Sequence, residues 1–276
     1  MYYENNLFKI YYEKYGNSKN KILILPGWGD TKDTFKYLIN SLSKNNTIYI
    51  IDNPSFGKSI TKEENLTIYD YATVIKELIK YENINNPTII AHSFGGRIAT
   101  ILSACYNEEI NKLILIDIAG IKPKRSIKSL IKKYSYKFFK KTTKLFPKKI
   151  KTKINTFLLK KYASSDYYNL PDNMKKTFQN IVNYDLKKYI SNIKQETLIL
   201  WGQNDNSTPL SDAYLLRKKI KNSALIILKK ASHFSYLDYP LLTLNIINNF
   251  INEKAWLIML LLFYIYFYYS MEMFTF

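Results

Sequence analysis

Residues 88–99 read TIIAHSFGGRIA: the apolar run Thr88-Ile89-Ile90-Ala91, then His92, Ser93, Phe94 and two adjacent glycines, Gly95 and Gly96. In a chain with only 8 glycines among 276 residues, a pair directly after a serine needs a reason. A strand that enters a helix through so tight a turn drives its central residue into strained backbone geometry, which small neighbours must accommodate. The stretch therefore predicts a strand, a sharp turn holding the Ser93 hydroxyl above the end of a sheet, and a helix. The glycines are expected to clear space around that serine.

Working outward, the same strand-then-turn grammar recurs. KILILPGWGD (21–30), NTIYIIDNPSFGKS (46–59), NKLILIDIAG (111–120), ETLILWGQND (196–205) and SALIILKKASH (223–233) each begin with a short Ile/Leu run and end in turn chemistry. Runs with so little polar alternation suit strands buried on both faces, hence a parallel sheet flanked by helices. Helical spacing fills the intervals at 33–42, 68–82, 96–104, 211–220 and 241–251. LFKIYYEKYG (7–16) alternates and is expected to be an antiparallel edge strand. Apolar content of 47% with 8 Pro and 8 Gly excludes a disordered chain. The fold class is α/β: a mostly parallel sheet with a helical insertion.

The insertion begins where the alternation stops. From about Gly120 to Gln195 the pattern turns helical, basic and aromatic, and between Ile121 and Tyr162 there are sixteen Lys or Arg and no Asp or Glu. This divides the chain into a core of residues 1–119 and 196–252, a basic helical cap of 120–195, and an apolar tail of 253–276. A cap inserted there is expected over the carboxyl ends of the strands, where open α/β sheets bind ligands. The run of positive charge favours an anionic partner. A solvated basic surface, an anionic membrane and an anionic substrate such as an acyl-CoA or phospholipid remain alternatives, while no recognition motif accompanies the charge to suggest nucleic acid.

An exposed serine needs a base, and the chain has only 2 histidines. His92 adjoins Ser93 within the turn and is read as a structural neighbour. His233, at the tip of the last apolar run, is the candidate base. The base in turn needs an acid to hold its tautomer. Asp205, just past a strand and backed by a Pro-closed loop, is the leading candidate, with Asp117 at the end of LILID in reserve. A developing oxyanion needs backbone N–H donors, for which Phe94 and Trp28 are placed, with Gly27 and Gly29 letting the PGWGD loop approach. Asp52 is read as structural, closing the turn after its strand. Cys105, the single cysteine, cannot form an intramolecular disulfide and is read as a small core residue on a helix.

LPGWGDT (25–31), DNPSFGKS (52–59), AHSFGGRIA (91–99), WGQNDNSTP (201–209) and SHFSYLDYP (232–240) fall in an order that resembles the successive signatures of the α/β-hydrolase fold superfamily, over about Lys21 to Ile251. The resemblance implies Ser93 as nucleophile, His233 as base, Asp205 as acid, and Trp28 and Phe94 as oxyanion-hole donors. Two departures stand out: Ala91 replaces the usual first glycine of the turn, and Pro26-Gly27 stands where the family often has His-Gly. The implied activity is hydrolysis of an ester, thioester or amide of a small-molecule acyl substrate through an acyl-enzyme, with no metal or organic cofactor. C–C bond hydrolysis on the same fold, or a membrane-associated binding or scaffold protein with an unused triad, are the alternatives.

The N-terminus has no basic-then-apolar signal pattern, which points to a cytoplasmic protein. Residues 255–276 read AWLIMLLLFYIYFYYSMEMFTF with Glu272 the only charge. The tail and the basic cap are both candidates for membrane association.

Overall fold

The computed structural model describes residues 1–106, 109–122 and 165–252, together with residues 134–136, 138, 139, 141–143, 147, 150, 152–154 and 156–158. Much of the basic interval and the whole of the apolar tail, 253–276, lie outside the described residues. Among the described residues, no helix is long and apolar enough to cross a membrane.

The chain forms two compact units, one of Met1–Glu63, Thr67–Ile121 and the residues from Tyr184 on, the other of Glu64–Leu66 and Lys122–Asn183. The first unit is built on one nine-stranded sheet. In chain order its strands are β1 (Tyr2–Glu4), β2 (Phe8–Tyr15), β3 (Lys21–Leu25), β4 (Thr47–Ile51), β5 (Ile60–Thr61), β6 (Thr88–His92), β7 (Lys112–Ile116), β8 (Glu196–Gly202) and β9 (Ser223–Leu228). Across the sheet they run β1-β2-β4-β3-β6-β7-β8-β9, with β5 pairing on β2. The pairs from β4 to β9 are parallel and those made by β2 are antiparallel.

The Ile/Leu runs become strands because both faces of the sheet are covered. On one face α1 (Lys32–Leu42) contributes Phe35, Leu38, Ile39 and Leu42, and the last helix contributes Ile246, Ile247 and Phe250, packed on Ile22, Ile24, Ile90, Ile114 and Leu198. The alternate residues, Leu23, Ile89, Leu113 and Ile199, point to the other face and are equally buried. There α2 (Ile68–Tyr81) packs on α3 (Phe94–Cys105), and α3 packs on β6. Each such side chain contributes about 1.5–3 kcal/mol when fully withdrawn from water. Helix α2 begins with a capping box, Thr67 and Asp70 each bonding the other's backbone N–H.

Two expectations need correction. β2 is not an edge: the three-residue β1 lies outside it, pairing Tyr2 with Tyr11. Cys105 is exposed rather than core, because it ends α3 where that helix leaves the sheet. Asp52 does close its turn, accepting the Lys58 backbone N–H at 2.8 Å and filling the space a Cβ on Gly57 would need.

In the second unit α4 (Ser165–Tyr168) precedes α5 (Asp172–Asn183), which buries Met174, Thr177 and Ile181. Thr177 Oγ1 accepts the Leu66 N–H at 3.0 Å, and the Asn180 amide donates to the Asn65 carbonyl at 3.0 Å, pinning the strap 64–66 to this helix. The first unit resumes with a 3-10 turn (Ile190–Asn192), α6 (Leu210–Lys219), α7 (Ser235–Asp238) and α8 (Pro240–Asn252).

Candidate active site

The chain leaves β3 for β4 on one side and returns to β6 on the other, so the carboxyl ends of β3 and β6 flank the switch point of the sheet. Ser93 stands at that point, between the last residue of β6 and the first of α3, with φ 48° and ψ −113°. This is left-handed backbone that a residue with a Cβ adopts only when its surroundings enforce it. The enforcement is visible: the Ser93 N–H donates to the Ile116 carbonyl at 3.2 Å, and the Ser93 carbonyl accepts from Gly96 at 3.1 Å and Ala119 at 2.9 Å.

Gly95 and Gly96 serve a different purpose from the one expected of them. A Cβ on Gly95 would lie 2.0 Å from the Leu25 carbonyl oxygen, and one on Gly96 would lie 2.3 Å from the Ile118 side chain. Their missing side chains let α3 press against the ends of β3 and β7, and the serine's exposure follows from that close approach.

His233 Nε2 lies 2.9 Å from Ser93 Oγ, and its Nδ1 lies 2.8 Å from Asp205 Oδ2. Asp205 is buried and fully engaged: Oδ1 accepts the backbone N–H groups of Ser207 at 2.7 Å and Thr208 at 2.9 Å, while Thr208 Oγ1 donates to Oδ2. Burial raises the pKa of this carboxyl, but hydrogen bonds from His233 and Thr208 outweigh it and hold the group below its ordinary value. Its Oδ2 faces Nδ1.

Asp117, the reserve candidate, directly follows β7 but points elsewhere. Its Oδ1 accepts the Gly202 N–H at 2.7 Å, and its Oδ2 accepts from the Ser235 backbone and hydroxyl. Burial pushes its carboxyl up to about 7. It ties the end of β8, which leads into Asp205, to the turn just after His233. The sequence carries no signal for this strut, and in the structure Asp117 also stands in left-handed backbone, with φ 46°.

The loop after β3 runs beside Ser93, since a Cβ on Gly27 would lie 3.5 Å from Ser93 Cβ. The Asn53 amide donates to the Pro26 and Gly27 carbonyls at 3.0 and 3.4 Å, fixing which way these peptides face. Trp28 stands edge-on to Phe94, ring centres 5.1 Å apart. The Phe94 N–H, in the first turn of α3, has no acceptor within the helix and is available to a ligand. The geometry thus assembles a hydroxyl, an imidazole, a carboxylate and a helix N-terminus, the elements of acyl transfer.

A model of the alpha/beta hydrolase fold family matches residues 20–240. The chain is 27% identical over 260 residues to the pimeloyl-[acyl-carrier protein] methyl ester esterase of Wigglesworthia glossinidia brevipalpis, covering 86% of this chain and 96% of that protein. It is 24% identical over 257 residues to 2-hydroxy-6-oxononadienedioate/2-hydroxy-6-oxononatrienedioate hydrolase 1 of Pseudomonas putida, covering 83% and 87%. The crystal structure of a putative lipase from Acinetobacter baumannii superposes with a TM-score of 0.70 at 21% identity, covering 91% of this chain and 90% of that one, a likeness of fold.

Proposed function

The chain belongs to the α/β-hydrolase fold family and is an enzyme of that family, and on that premise we propose that it is a serine hydrolase in which Ser93 is the nucleophile, His233 the base and Asp205 the acid. The observation that carries this reading is the position of His233, within hydrogen-bond distance of Ser93 Oγ on one nitrogen and of Asp205 on the other. Asp205 keeps Nδ1 protonated, so Nε2 is free to take the serine proton as Oγ attacks the acyl carbon. The N–H groups of Phe94 and Trp28 receive the oxyanion. His233 then returns the proton to the leaving group, and an acyl-enzyme remains on Ser93. Water, deprotonated by the same Nε2, releases the acid and restores the hydroxyl.

The substrate is a small acyl ester, in line with the esterase relative. The likeness to the Pseudomonas hydrolase supports including a C–C diketone in the same substrate panel. Treatment of the full chain with a fluorophosphonate probe, followed by peptide mapping, should place a single adduct on Ser93. Folded protein that takes up no probe, or takes it up elsewhere, would sink the assignment.

The basic interval further supports docking to an anionic membrane. Its described residues expose Tyr134 and Phe138 at 65% each and Phe157 at 62%, amid sixteen basic residues and no acidic ones between 121 and 162. Tyr134 and Phe138 stand four apart in the sequence. Aromatic side chains interleaved with lysines suit the headgroup boundary. The protein is expected to sediment with phosphatidylglycerol vesicles and not with phosphatidylcholine ones, and salt should reverse the binding. Equal partition to both vesicle types would remove charge as the cause.

A further inference from the structure

Among the described residues, His92 is a buried titratable group beside Ser93 that acyl transfer leaves without a task. We propose that His92 is a positioning residue for His233: its Nε2–H tethers the His233 backbone, and its ring fills the space between the loop after β3 and the loop after β9.

The His92 side chain, at the end of β6, is 1% exposed. Its Nε2 lies 2.9 Å from the His233 carbonyl oxygen. A carbonyl only accepts, so Nε2 carries the proton and Nδ1 the lone pair. Burial holds this imidazole at a pKa of about 3, so the ring stays neutral and its tautomer does not change across the working pH range. Nδ1 is buried without a hydrogen-bond partner, 3.9 Å from Asp30 Oδ2 and 3.2 Å from where a Cβ on Gly27 would stand. One edge of the ring therefore abuts the Gly27–Asp30 loop. The other side meets His233, Phe234 and Tyr236, with ring centres 5.0, 4.9 and 5.1 Å away.

Several hydrogen bonds hold the loop around His233: Asp117 accepts from Ser235, Asp238 Oδ2 accepts the Ser232 N–H at 2.6 Å, the Ala231 carbonyl accepts the Asn204 N–H at 2.8 Å, and His92 holds the His233 carbonyl. Asp205 bonds the His233 ring, while His92 holds the backbone of the residue whose Nε2 must stay 2.9 Å from Ser93 Oγ. It does so from the position next to Ser93, so nucleophile and base are fixed to one point of the chain. A misplacement of about 1 Å between reacting groups can cost a hundredfold in rate.

This inference rests on the proposed role of His233, and the test separates the two. The full chain is assayed for kcat and KM on a short acyl ester, wild type beside His92→Gln, His92→Asn and His92→Leu, with the folded fraction measured by near-ultraviolet circular dichroism. The glutamine amide nitrogen reaches the Nε2 position, while the asparagine amide stops at the Nδ1 position and leucine donates nothing. His92→Gln should keep kcat within about threefold of wild type, and His92→Asn and His92→Leu should lose about ten- to a hundredfold in kcat with KM little changed. Asn or Leu variants with wild-type kcat, or a Gln variant as slow as the Asn one, would overturn the proposal. Should the leucine variant not fold, the Asn and Gln pair decides. Failure of the serine-hydrolase reading would look different, as a wild type with no turnover.

Discussion

Replacing Asp205 by asparagine should leave the fold intact and lower kcat for ester hydrolysis by about three to four orders of magnitude. The direction follows from the hydrogen bonds. The backbone N–H groups of Ser207 and Thr208 both point at Oδ1, so the asparagine carbonyl oxygen must take that place. Its NH2 is then turned toward His233 Nδ1, where Oδ2 sat 2.8 Å away. A donor there forces Nδ1 to accept and moves the imidazole proton to Nε2, which can no longer take the proton of Ser93. Because the amide fits the same turn, the melting temperature should move by only a few degrees, equivalent to about 1 kcal/mol. Steady-state kinetics with thermal unfolding checks both halves. A variant with full activity would show that Asp205 is dispensable as the acid.

A second large effect is expected on stability. Gly95→Ala would put a Cβ 2.0 Å from the Leu25 carbonyl oxygen and 2.8 Å from that of Pro26. Both obstacles are backbone, so no rotamer change relieves them, and α3 must withdraw from the end of β3. The cost should be about 3–5 kcal/mol, a large share of the roughly 5–15 kcal/mol that keeps a domain folded. Gly29→Ala is the control. Gly29 has φ +71° but meets nothing closer than Phe56 at 3.8 Å, so it should lose only the backbone penalty of about 1–2 kcal/mol. Urea unfolding of the two variants compares them directly. Equal losses would show that conformation rather than close approach explains Gly95.

The two aspartates show where sequence reading stops. Asp117 and Asp205 each follow an apolar strand and each end at the carboxyl edge of the sheet. The Pro-closed loop behind Asp205 favours it in the sequence, but only the folded chain shows which carboxylate faces the imidazole and which ties two backbone segments together. The same holds for the two histidines. His92 ends β6 and His233 lies in the loop after β9, and the structure shows their different tasks, since one ring bonds a carbonyl and the other a hydroxyl.

Short-range physics encodes the part of this molecule that is legible residue by residue. Short Ile/Leu runs became parallel strands because both faces of each are covered. The AHSFGG stretch marked the strand-to-helix turn at which Ser93 takes left-handed backbone, and the contacts to Ile116 and Ala119 hold it there. The order of Ser93, Asp205 and His233 along the chain was equally legible. The tertiary structure decided what depends on contacts between residues distant in sequence: which carboxylate meets His233, what the glycine pair makes room for, and that a three-residue strand shields β2. It also exposed Cys105, because where a helix leaves its sheet is set by the neighbours packed against it and not by its own periodicity.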